Sequence, residues 1–326
     1  MKTTHKHASW KITVAMTMVI SSLLYAVAVF DPVSTPTVTL GEYAIKNRDL
    51  LDGPTKAYRS WFENGAYQGD IIEYDILVDG TRTLNHTLVG SNDDAALIAL
   101  AGDSTKNWLA RAAFLKKEQD VTDYWKEETT GGRRLFTYNT SAQVPFLWNN
   151  LTAAQKISLD PGTINDPNGD GDPTDAVDPA NDQASNYFGP VFNFIRGDRS
   201  NERSQPDGFL RTRYSLLGDI TNTPVYISPP RELFTSFDGF AGFRHANRNR
   251  TGSIAVPAND GILHFLAEAD GTEIMGYIPS MVIENLFRLA QPAYEHTYYL
   301  DGEMVVSSAQ INPDHTNCTD AIVGGD

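Results

Sequence analysis

A single cysteine, Cys318, stands in the 326 residues, so no internal disulfide can staple this chain. Its stability has to come from packing or from bound metal. Positive charge is also scarce: 26 Lys+Arg face 41 Asp+Glu, a formal net charge of −15. A phosphate-gripping surface needs a basic patch, and none is present, which excludes nucleic acid as a partner. Zinc-ligand spacing, a phosphate-binding glycine loop and a nucleophile–base pair are missing too. His86, His245, His264, His296 and His315 are scattered and read as packing or surface residues. No exact repeat recurs at a fixed period, so no repeat architecture follows from periodicity. The 41% of apolar and 10% of aromatic residues are nevertheless the composition of a globular protein with a proper core.

The N-terminus carries the clearest physical signal. Lys2, Lys6 and Lys11 precede an uncharged apolar run from Ile12 to Phe30, with Ala26-Val27-Ala28 as a small-x-small cleavage site. Residues 1–28 therefore read as a secretory signal peptide. The run is also long enough for an uncleaved N-terminal anchor. Either way the remainder is exported. Residues 29–57, rich in Pro, Thr, Val and Gly, read as a linker.

Beyond it, Gly69 to Gly80 is a strand closed by an Asp-Gly turn, and residues 107–118 place apolar side chains at helical spacing. Arg134 to Tyr138 is a short strand, and Thr152 is the N-cap of a following helix. Further strands are expected at Leu216–Ile220, Pro224–Ile227 and Ser253–Val256. Ile262–Leu266 and Glu273–Ile278 make a hairpin across Ala269-Asp270-Gly271-Thr272. Met281 to Leu289 is a short helix, and Thr297–Leu300 pairs with Met304–Val306 across Asp301-Gly302. Short strands joined by Gly-bearing turns predict a mainly β fold with short helices, as in a sandwich or propeller.

Two segments suggest sites. Asp160 to Asp182 is rich in aspartate and nearly devoid of large apolar residues. Within it Asp166, Asn168 and Asp170, with Gly171 next, match the first positions of an EF-hand-type calcium loop, and Asp172 and Asp175 can add oxygens. Position 12 of such a loop would be Val177, and no flanking helix pair is evident, so a solvated acidic linker stays open. The second segment is Arg196-Gly197-Asp198, at the end of the aromatic–apolar run from Tyr187. There Gly197 can cap a helix C-terminus, with Arg199 favourable to the helix dipole.

The block Ile254-Ala255-Val256-Pro257-Ala258-Asn259-Asp260-Gly261-Ile262-Leu263-His264-Phe265, followed by Asp270-Gly271-Thr272-Glu273 and Tyr277-Ile278-Pro279, resembles a signature of the type IV pilus assembly and tip-adhesin (PilY) family. Other matches stand in the family's order. They are Ile195 to Arg199 with Glu202, Arg211-Thr212-Arg213, Leu217 to Ile220, Pro224-Val225-Tyr226, and Tyr294 to Gly302. Asn-Asp-Gly makes a tight turn in which Gly holds positive φ, so these residues read as structural rather than ligand-binding.

The resemblance implies a partial β-propeller with quinoprotein-like blades, its N-terminal part spanning residues 58–326 and the later blades missing, as in a truncated gene product. It implies a non-enzymatic role in pilus biogenesis or adhesion. Minor pilins and the pilus machinery would be the partners, and the periplasm, outer membrane, cell surface or pilus tip the location. It also implies Ca2+ bound by Asp166, Asn168, Asp170, Asp172 and Asp175, regulating pilus extension and retraction. Arg196, Gly197 and Asp198 would then be a contact for a host surface receptor. The alternatives are a quinone-dependent (PQQ) dehydrogenase on a similar propeller and an inactive fragment.

Overall fold

The apolar run around Ile71 and Ile72 forms a strand buried on both faces, and the first sheet is built round it. The computed structural model describes residues 38–45, 55–63, 67–87, 93–159, 189–229 and 239–306. In it β1 (Val38–Ile45), β2 (Thr55–Glu63), β3 (Gln68–Ile76) and the short β4 (Arg82–Thr83) make an antiparallel meander. Successive strand residues point to opposite faces, and on β3 each face finds its own core. Ile71 packs in a cluster with Tyr58, Trp108, Phe114 and Ile254, whereas Ile72 packs with Leu97, Leu109 and Leu115. A strand covered on both sides reads as continuous rather than alternating hydrophobicity. The covering helices are α1 (Asp94–Ala101) and α2 (Ala110–Asp120). Asp93 caps α1 by accepting from the Ala96 amide at 3.0 Å.

The second sheet holds six strands in the order β6 (Gln143–Pro145), β5 (Leu135–Tyr138), β10 (Glu273–Ile278), β9 (Leu263–Ala267), β8 (Ser253–Pro257) and β7 (Val225–Ile227). All its pairs are antiparallel except β5 with β10, which run parallel. Helices α3 (Ala153–Leu159) and α4 (Pro190–Arg196) and the 3-10 helix Ser280–Ala290 build a core around Trp148, Phe192, Phe194, Ile262, Ile278 and Leu286. A further helix, α5, spans Phe240–Asn247. The sheets meet where Tyr58 stacks on Trp108 and Tyr226, with centroids 5.5 and 5.9 Å apart.

The fold is mainly β with short helices, and among the described residues neither sheet closes into a barrel or propeller ring. No helix among them is long and apolar enough to cross a membrane. Three expectations need correction. The stretch 29–57 is not linker throughout, because β1 and the start of β2 lie in it; β-branched and aromatic residues there suit strands once β2 partners β1 and β3 partners β2. Residues 216–220 are irregular rather than a strand. Their backbone is claimed by side-chain and turn bonds instead: Gly218 N donates to Asp260 Oδ2 at 3.0 Å, and Asn259 N to the Asp219 carbonyl at 2.9 Å. Residues 297–306 likewise form no hairpin, since the Tyr299 amide goes to Asn259 Oδ1. The segment 1–28 and Cys318 lie outside the described residues.

The two signature turns behave as their sequence predicts, with Gly261 at φ +83° and Gly271 at φ +69°. At Gly271 a Cβ would also stand 2.4 Å from the Trp108 indole. That ring is buried and held by its Nε1–H to the Glu268 carbonyl at 3.0 Å, so it cannot yield easily. Gly271→Ala should therefore lower unfolding free energy by about 2–4 kcal/mol, combining left-handed strain with overpacking. Urea denaturation checks this, and an unchanged midpoint contradicts the packing.

Candidate functional site

The signature residues converge on a chain of buried ion pairs. Arg133, just ahead of β5, is a fully buried cation whose Nε and Nη2 donate to Glu273 Oε2 and Oε1 at 2.7 and 3.1 Å. Glu273 opens β10 and also faces His264 of β9, with Nδ1 2.7 Å from Oε1. The other ring nitrogen lies 3.0 Å from Asp260 Oδ2 in the Asn-Asp-Gly turn. Asp260 in turn accepts from the Gly218 and Ile262 amides. Hairpin register makes room for this: His264 stands opposite Gly276, which has no side chain.

With a carboxylate at each ring nitrogen, both must carry a proton. Burial alone would lower the imidazole, but Asp260 and Glu273 outweigh it and raise His264 to about 9. For Glu273, burial would raise the carboxyl, yet Arg133 and His264 hold it down at about 2. Two cations and two anions balance, with Arg133, His264 and Glu273 buried and Asp260 at the edge of the site. His264 is fully buried and has both nitrogens engaged, so the arrangement fixes geometry and leaves no free base.

Two smaller networks flank the first. Asp219 accepts from Asn259 Nδ2 at 2.8 Å and pairs with His296 Nε2 at 2.8 Å. Glu202 takes Arg213 Nε at 2.8 Å and the Arg213 amide at 3.0 Å. Arg213 also donates to the Phe194 and Asp198 carbonyls and lies 3.6 Å over the Phe194 ring. Burial pulls its guanidinium down to about 10.

Arg196-Gly197-Asp198 sits at the C-terminus of α4. The Arg196 side chain is buried and donates to the Trp125, Phe146 and Arg133 carbonyls. Gly197, at φ +124°, caps the helix, and Asp198 accepts from Ser200. A receptor reading this tripeptide would need an exposed guanidinium, and here that group ties three segments together. The proposed calcium ligands Asp166, Asn168, Asp170, Asp172 and Asp175 lie outside the described residues. Among the described residues no group of three or more His, Cys, Asp or Glu could hold a metal ion.

The roles of His264 and His296 were not evident from their isolated positions in the sequence. The signal that could have found His264 is Asp260 four residues before it and an acid, Glu273, at the start of the partnering strand.

Comparison with known proteins finds type IV pilus biogenesis factors. The chain is 32% identical over 235 residues to the type IV pilus biogenesis factor PilY1 of Pseudomonas aeruginosa strain PAK, covering 63% of this chain and 18% of that protein. It is 36% identical over 122 residues to a PilY1 homolog of Xylella fastidiosa, covering 35% and 10%. It is 26% identical over 264 residues to PilY1 of Pseudomonas aeruginosa strain UCBPP-PA14, covering 78% and 19%. The chain thus spans about a fifth or less of the length of these relatives. No family model and no solved structure matches it.

Because the folded-state pKa of His264 lies above its ordinary value, the contribution of the protonated His264 is complete below about pH 6.5 and is lost as pH rises through about 9, whereas that of Glu273, held low at about 2, is lost only in acid. Denaturation midpoints should fall across that window by the equivalent of about 3 kcal/mol. His264→Asn should flatten the fall, and a wild-type profile level up to about pH 9.5 would count against a protonated His264.

Proposed function

Because the chain is a PilY1-family sequence, we propose that it takes part in type IV pilus biogenesis as an exported, non-enzymatic component. The observation that carries this is the match over 235 residues at 32% identity. Asp260, His264, Glu273 and Arg213, which stand in the motifs shared with the family, are also the residues of the buried networks. An interior built from specific ion pairs is a scaffold, suited to presenting a surface to pilus subunits rather than to turning over a substrate. The four-stranded meander β1–β4 has the size of a propeller blade, which supports the partial-propeller reading. The six-stranded sheet, with its parallel pair, departs from a four-stranded blade.

Deleting the gene in its native host should reduce surface piliation and twitching, and expression of the full chain should restore both. Normal piliation and motility in the deletion strain would end this reading.

We further propose that the stretch 160–182 binds Ca2+ through Asp166, Asn168, Asp170, Asp172 and Asp175 and tunes pilus extension and retraction. The support is the sequence alone: oxygen-bearing side chains at alternate positions, followed by Gly171 where a loop of this type requires a glycine. Titration calorimetry with calcium should give saturable heat that is abolished in an Asp166→Ala/Asp170→Ala double variant. Absence of heat in the parent chain defeats it.

A further inference from the structure

A small cleft opens beside the networks, lined by Tyr67, Gln68, Arg211, Arg213, Asp260 and the backbone around Ser215, with Ile262 and Leu289 at its apolar wall. Its charges are unevenly matched. Asp260 is paired with His264, Glu202 with Arg213, and nearby Asp219 with Asn259 and His296. Arg211 is the odd cation. Among the described residues it has no ion pair, and its buried Nε has no hydrogen-bond acceptor. Its guanidinium is held by stacking 4.3 Å over the Tyr294 ring, and its backbone amide by the Ala290 carbonyl at 3.0 Å. Burial without a partner draws this group below the usual arginine range.

An arginine fixed by an aromatic ring, largely desolvated, lining a cleft and carrying an unpartnered Nε–H is prepared for a planar anion. Cleft size narrows the choice. A volume of about 40 Å³ exceeds the room one water needs but holds only a group of about three heavy atoms. A carboxylate fits these limits, whereas a sugar ring or nucleotide does not. The rim continues as an aromatic shelf: Tyr67 stacks on His296 at 5.2 Å, and His296 meets the exposed Tyr298 edge-on at 4.8 Å. A chain attached to the carboxylate would have a surface on which to lie.

We propose that this cleft seats a single carboxylate group, received by Arg211 as its missing counter-ion. The carboxylate can come from a peptide C-terminus, an acidic side chain or a small free acid. The proposal rests on the cleft alone and is independent of the pilus reading, so an unaltered phenotype in a deletion strain leaves it standing.

The test is a proton–nitrogen NMR spectrum of the arginine Nε–H groups in the full chain. The Arg211 signal is assigned by its loss in Arg211→Lys. Sodium acetate is titrated at constant ionic strength, with acetamide as the neutral isostere. The Arg211 Nε–H resonance should move saturably with acetate and stay fixed with acetamide. Arg211→Gln keeps the backbone bond to Ala290 and should weaken acetate binding roughly tenfold or more, read on the neighbouring backbone amides. Those same amides report that the variant is folded. A neutral peptide with a free C-terminus and an amidated peptide with one aspartate then distinguish the sources. Tighter binding of either identifies that carboxylate, and no gain over acetate identifies a small free acid. A drift that never saturates, or an equal response to acetamide, overturns the proposal.

Discussion

Glu273 is a carboxylate with no route to water, and the parts of the second sheet are arranged around keeping it ionised. Arg133 grips it from the start of β5 and His264 from β9. His264 passes the requirement on to Asp260, whose other oxygen contacts fix the Gly218 loop and the turn into β9. Arg133 also donates to the Arg196 carbonyl while Arg196 donates back to the Arg133 carbonyl, so the end of α4 is locked to the same point. Desolvating four charges brings little net stability. Removing any one strands its partners, however, so the network selects a single arrangement of five segments over near alternatives.

Apolar packing then attaches the first sheet to that frame. Tyr58 on β2 lies between Trp108 and Tyr226, and Ser60 donates to the Asn222 carbonyl at 2.9 Å. Trp108 reaches the Glu268 carbonyl beside the β9–β10 turn. The joint between the sheets is thus made of flat rings with a few directional bonds. That combination fixes relative position without demanding more buried charge.

Local chemistry made much of this visible in the sequence. The β9–β10 hairpin was readable because Gly271 can take the positive φ that a tight turn after Asp270 needs, and α3 because Thr152 caps it by accepting from the Gln155 amide at 3.2 Å. The end of α4 at Gly197 followed from the same logic. What escaped depends on partners far along the chain. Helix α1, with the sequence DAALIALA, is apolar on nearly every side and shows no amphipathic period, although only Leu97 is buried, in the cluster with Ile72 and Leu115. Residues 216–220 have strand-like composition but give their backbone groups to Asp260 and Asn259, which no local pattern reveals. His264 looked isolated because one of its two carboxylates stands on the neighbouring strand. Arg211 could not be singled out at all, since its lack of a counter-ion is a property of the assembled site.

The parallel pairing of β5 with β10 has a bearing on how the chain comes together in time. Thr137 donates to the carbonyl of Ile278, 141 positions later, and Arg133 meets Glu273 across 140. The middle of the six-stranded sheet therefore cannot close until nearly all the described chain is present. Contacts so distant in sequence are slow to form, because the intervening loop must be closed before anything is gained. Until then β5 has only the short β6 beside it, and its other edge is an open template for wrong partners. The main kinetic hazard of a chain built this way falls in the interval before β10 arrives.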